Sequence, residues 1–162
     1  MKRVWFIFLL PLFLCTNEVL AQKLILTSNG IKSSDNPSSQ YVEYSYRNGV
    51  GKNELRSYCI QNLGQPDFFS YRVDYTDDST IKLSGFVKKS LKGVKFNILF
   101  EFGDHNVRVS SELFDKDGML LDCREYYSKK GKLKDKKFKA EVERRLDEII
   151  RLLMEMKIVM RQ

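Results

Sequence analysis

Apolar and polar positions alternate with a period of two through the middle of the chain, and stretches with a period near 3.6 stand before and after it. Tyr41 to Tyr46 sets Val42, Tyr44 and Tyr46 on one side and Tyr41, Glu43 and Ser45 on the other, the pattern of a half-buried strand. Tyr71, Val73 and Tyr75 alternate with Arg72, Asp74 and Thr76, and Asp77-Asp78-Ser79 makes a turn. Ile81, Leu83 and Val87 then alternate with Lys82, Ser84, Phe86 and Lys88, and Gly85 marks a bulge or a close approach. The clearest strand is Val94 to Phe102, with Val94, Phe96, Ile98, Phe100 and Phe102 pointing one way. Gly103-Asp104-His105-Asn106 turns into a strand over Val107 to Phe114, and Asp115-Lys116-Asp117-Gly118 into another over Met119 to Tyr127. Connections this short make the strands antiparallel.

Helical spacing precedes and follows this block. Leu55, Tyr58, Cys59 and Leu63 share a face and predict a short helix over Asn53 to Leu63, with Asn53 as cap and Gly64 and Pro66 as stop. Val142, Leu146, Ile149, Leu153, Met156 and Met160 repeat at four and three, widened by Phe138 and Ile150, and predict a long helix over about residues 135–160. It would run to roughly 38 Å, long enough to cross a sheet. Val42, Tyr44, Val73, Leu83, Phe96, Ile98, Phe100, Val107 and Val109 form one apolar sheet face. The fold class is therefore α+β: an antiparallel sheet in β-α-β-β-β-β-α order, with both helices on one face and the other face open.

Ahead of this body, Lys2 and Arg3, the apolar run Val4 to Leu14 and the site Val19-Leu20-Ala21 have the form of an export signal ending at residue 21. The run is shorter than the roughly 20 apolar residues of a membrane-spanning helix. Cys15 follows it as a lipidated cysteine would, but Leu14 stands where that site takes a small residue. Residues 22–39 read as an N-terminal arm, strand-like over Lys23 to Thr27, followed by a polar linker, because Ser28 to Gln40 is rich in Ser, Asn, Asp and Pro without period. Residues 40–162 make a single domain. Cys59 and Cys123, the cysteines after the signal, are either buried free thiols or one bridge in an oxidising compartment.

At YVEYSY, NELRSYCIQNL, YRVDYTDDSTIKLSGFVKK and GVKFNILFEFGDHNVRVSSELFD, the chain resembles a family of exported bacterial domains of unknown function, described as having a TATA-binding-protein-like fold. The resemblance covers roughly residues 40–125. It implies the same fold and assigns no activity and no functional residue.

No catalytic constellation appears, and no cofactor is implied. His105, the single histidine, lies in a hairpin tip without a nucleophile or orienting group. One histidine and two cysteines lack zinc-ligand spacing, and Asp115-Lys116-Asp117-Gly118 opens like a calcium loop but lacks its later acidic ligands. Glu43, Asp74, Glu101 and Glu112 share the open face, which leaves an envelope hydrolase using paired carboxylates as the alternative function. Arg72, Lys82, Lys88, Lys95 and Arg108 nearly balance them, whereas a nucleic-acid surface is clearly positive; no nucleic-acid partner is expected.

Charge is uneven. Of the chain's net +7, the segment after Ala21 keeps +6, and Lys129, Lys130, Lys132, Lys134, Lys136, Lys137 and Lys139 crowd together before and within the start of the last helix. They are candidates for contact with an anionic surface, lipid headgroups or acidic glycan. Tyr41, Phe86, Leu99 and Phe114 form a candidate partner patch on the open face. Leu152, Met154, Ile158 and Val159 exceed one sheet-facing stripe and point to a homodimer or a partner helix. The expectation is an exported, non-enzymatic binding domain of the cell envelope, its partner an envelope protein or an anionic surface.

Overall fold

The alternating stretches become strands at the predicted places. The computed structural model describes residues 22–45, 51–68, 70–87 and 93–154, the side chains of 75 and 76 excepted. In chain order these form β1 (Leu24–Thr27), β2 (Gly30–Ser33), β3 (Tyr41–Ser45), α1 (Lys52–Leu63), β4 (Arg72–Asp77), β5 (Thr80–Phe86), β6 (Lys95–Phe102), β7 (Asn106–Phe114) and α2 (Lys136–Met154). The export segment with Cys15, the positions Tyr46 and Lys88, and the predicted end of the last helix with Ile158 and Val159 lie outside the described residues.

Five strands pair antiparallel in the order β3-β7-β6-β5-β4. From Tyr41 onward the element order is the β-α-β-β-β-β-α expected from the sequence. Helix α1 carries the chain from one sheet edge to the other, and three hairpins fill the space between. The inner face is the predicted one: Val42, Tyr44, Leu83, Phe96, Ile98, Phe100, Val107 and Val109 are buried, and Val73 is half-buried near the β4 edge. Helix α2 covers this face with Phe138, Val142, Leu146, Ile149, Ile150 and Leu153, all joined with the strands in one core. Helix α1 contributes Leu55, Cys59 and Leu63 and packs near the end of α2, where Asn62 Nδ2 donates to the Leu153 carbonyl at 2.9 Å.

The N-terminal segment corrects the sequence reading. The linker expected over residues 28–39 is largely ordered, because Gly30–Ser33 pairs with Leu24–Thr27 as a hairpin. Gly30 takes a φ of 96° at the turn, which a residue with a Cβ resists. Leu24, Leu26 and Ile31 are buried, and the Leu26 main chain is held by three side chains of later elements. Its N–H donates to Glu143 Oε1 at 2.8 Å, and its carbonyl accepts from Tyr127 Oη at 2.8 Å and Lys139 Nζ at 2.7 Å. The composition of residues 28–40 is that of a turn, and the turn belongs to a hairpin whose partners lie more than 100 positions away.

Two further expectations change. Gly51, not Asn53, precedes α1 as its cap, and no side chain caps it. The strand expected over Met119 to Tyr127 is reduced to bridges, Phe114 with Leu120 and Tyr127 with Leu133, around a 3-10 turn at Cys123–Tyr126. Asp122 accepts from the Arg124 N–H at 3.0 Å, and this local bond competes with strand pairing. Cys59 and Cys123 are both buried and free, so of the two readings the structure takes the unbridged one.

Candidate functional site

Pairing register fixes which side chains meet on the open face. Tyr41, Ser110, Leu99, Lys82 and Asp74 stand in one row across β3, β7, β6, β5 and β4. Glu43, Arg108, Glu101 and Thr80 form the row on one side, and Glu112, Asn97, Ser84 and Arg72 the row on the other. Phe114, Lys95 and Phe86 form the last row. The candidate patch therefore divides. Phe114 and Phe86 flank Lys95, whose ammonium lies 5.7 Å from the Phe86 ring centre. Tyr41 is two rows away under the Arg108 guanidinium, at 5.0 Å, and Ser110 separates it from Leu99.

The four carboxylates are likewise dispersed. Arg108 stands between Glu43 and Glu101 and binds Glu43 at 2.8 Å, and Arg72 binds Asp74 at 3.1 Å. The Arg108 hydrogen bond holds the Glu43 carboxyl below its ordinary range, the opposite of what a general acid needs. Asp115 turns its carboxylate onto its own loop, accepting from the N–H groups of Asp117 and Met119 at 2.9 Å each. Among the described residues, no group of three His, Cys, Asp or Glu side chains is placed to hold a metal ion. His105 is exposed in the β6 to β7 turn. Burial raises the Cys59 thiol to about 12 and also raises Cys123, so neither is an activated nucleophile.

The lysine segment folds into one end of the molecule. Ser128 to Lys132 closes a tight turn, with Ser128 N–H donating to the Lys132 carbonyl at 2.7 Å and Gly131 at a φ of 73°. Tyr126 stacks on Phe138 at 3.9 Å, which ties the turn to the first turn of α2. Asp135 caps that helix by accepting from the Phe138 N–H at 2.9 Å. Lys129, Lys130, Lys132, Lys134, Lys136 and Lys137 are exposed, and among the described residues none forms an ion pair. Lys139 is committed elsewhere: it is half-buried, paired with Glu143 at 2.9 Å and bonded to the Leu26 carbonyl. Among the described residues the basic end thus offers six exposed lysines without an ion pair rather than seven, and Lys134 among them donates to the Glu125 carbonyl at 3.3 Å.

A groove that the sequence reading did not anticipate lies on the open face, with a volume of about 740 Å³. Its floor is Lys82, Asn97, Leu99, Ser110 and Glu112; the β1 to β2 turn and the segment from Leu120 to Arg124 form its walls. Leu99 is the one member of the candidate patch that it includes. Arg124 is held by Asp122 through two bonds of 2.9 and 2.8 Å, and Leu120 is 65% exposed at the rim. A smaller depression of about 550 Å³ lies between Tyr71, Phe86 and the α2 arginines Arg144 and Arg145, both of which bind Glu148. No local sequence signal marks the main groove, because its walls come from segments about 90 positions apart.

Among the described residues, no helix is long and apolar enough to cross a membrane. No protein-family model and no curated protein matches the chain. A solved structure that it is similar to is a DUF4468 family protein from Bacteroides ovatus, with 14% identity and a TM-score of 0.38, covering 67% of this chain and 76% of that chain. That protein is, like the family the sequence resembles, a bacterial domain of unknown function.

Proposed function

We propose that the protein is an exported, non-enzymatic binding domain of the bacterial cell envelope that docks on anionic lipid headgroups through its lysine-bearing end. The observation that carries this reading is the set of six exposed lysines, Lys129, Lys130, Lys132, Lys134, Lys136 and Lys137, held on an ordered turn and helix start without carboxylate partners among the described residues. Lys136 and Lys137 begin α2, where the helix dipole disfavours cations by a few tenths of a kcal/mol each. Elsewhere arginines take carboxylates, as Arg144 does with Glu141 and Glu148. A cluster left unpaired at an unfavourable place is what recognition of an external anion requires. Export is supported by the Met1 to Ala21 pattern, and sequencing the N-terminus of protein recovered from the producing cell should give Gln22.

The test is cosedimentation of residues 22–162 with vesicles of phosphatidylglycerol and phosphatidylethanolamine, against phosphatidylcholine alone. At roughly 1 kcal/mol per lysine, replacing Lys129, Lys130, Lys132 and Lys136 by Gln should weaken binding by about two to three orders of magnitude. Raised salt should release the wild type, since exposed charges are screened within about 10 Å at 0.1 M. Binding that ignores both salt and the four replacements sinks the reading. Binding to an acidic glycan without binding to the vesicles moves the partner from lipid to polysaccharide and overturns the lipid assignment.

A further inference from the structure

We propose that the open-face groove is a binding site for an extended polypeptide segment that carries a cation and an anion a few residues apart. Lys82 and Glu112 stand on its floor at opposite corners, two strands apart and offset by two residues. Strand spacing and rise place their Cα atoms about 12 Å apart, close to the roughly 13 Å spanned by four residue steps of an extended chain. Among the described residues neither side chain forms an ion pair, unlike Glu43 and Asp74 on the same face. Between them lie Asn97 and Ser110, which offer donors and acceptors suited to peptide amides, and Leu99, which offers one apolar contact. This site is separate from the lysine end, and vesicle binding has no bearing on it.

The probe is the blocked pentapeptide Lys-Ser-Val-Ser-Asp, titrated into 15N-labelled residues 22–162 and followed by amide shifts. Saturating shifts at Asn97, Ser110, Ser111 and Glu112 are expected, with affinity at least about tenfold lower for the same peptide carrying Gln at both ends. Lys82→Gln and Glu112→Gln should each produce a comparable loss, and the dispersion of their spectra reports folding directly. Lys82→Glu and Glu112→Lys are stronger versions of the same test. No shift in the groove at millimolar peptide overturns the proposal, as does a response unchanged by the neutral peptide and by every variant. Groove shifts with cellotriose and none with the peptide would assign the site to a glycan and overturn it equally.

Discussion

At Gly85 a single hydrogen atom decides how the sheet meets its aromatic neighbours. A Cβ there would stand 2.5 Å from Tyr71 Cδ1 and 3.1 Å from Phe96 Cζ, and the Tyr71 ring is itself packed 5.9 Å from Phe96 and beneath Arg145. Gly85→Ala should cost about 1–3 kcal/mol through overpacking, read as a lower denaturant midpoint. Cys59 shows a different single-residue effect. Burial keeps its thiol protonated up to about 12, whereas the unfolded chain releases the proton near 9.0. Between those values folding stability falls as pH rises, by about 1.4 kcal/mol per unit for one such group, and below them the thiol adds no pH dependence. Denaturant titrations across this window should show a flatter loss for Cys59→Ala than for the wild type. An equal slope would place the alkaline loss in the other groups that burial raises, Tyr44 and Cys123 among them.

Among the elements, the N-terminal hairpin and α2 are the pair whose contact is most specific. Glu143 accepts from Leu26 N–H and from Lys139, and the same lysine reaches the Leu26 carbonyl. Glu143→Ala removes the acceptor of a main-chain N–H on a buried residue, a loss of about 1–3 kcal/mol. Hydrogen exchange should show the Leu26 amide losing protection, while the amides of β6 keep theirs. Helix α2 also bears on the proposed homodimer. Met154 is buried within this chain and Leu152 packs against its core, so two of the four apolar residues offered as surplus already have intramolecular partners. Among the described residues the helix packs on the sheet, α1, the hairpin and the turn that carries Tyr126, and its apolar surface is correspondingly wide.

On the scale of the whole molecule, the hairpin tests whether residues 22–39 are tether or structure. Removing them should expose core surface that Leu24, Leu26 and Ile31 now cover, and each buried aliphatic side chain contributes about 1.5–3 kcal/mol. A chain beginning at Gln40 should therefore melt at a clearly lower temperature than one beginning at Gln22; equal melting would return the segment to the role of a tether. The same segment walls the groove, so its loss should also remove the peptide response. Charge is distributed on this scale too. The open face is stitched by Arg72 with Asp74 and Arg108 with Glu43, while the unpaired lysines gather at the end of the molecule where α2 begins.

Sequence by itself determined the sheet, its inner face and both helices, because alternation and helical spacing are local imprints of burial on one side, and Phe96 or Leu146 reports its side through near neighbours. It also determined the crowding of lysines, which is a property of one short stretch. Tertiary structure alone decided the rest. It set Arg108 between Glu43 and Glu101, withdrew Lys139 to hold Leu26, folded Gly30–Ser33 of the polar stretch back on Leu24–Thr27 as a hairpin that buries Ile31, and formed a groove between segments far apart in the chain. Each depends on cross-strand register or on contacts between residues distant in sequence, and no periodicity within a segment encodes which distant residue it will meet.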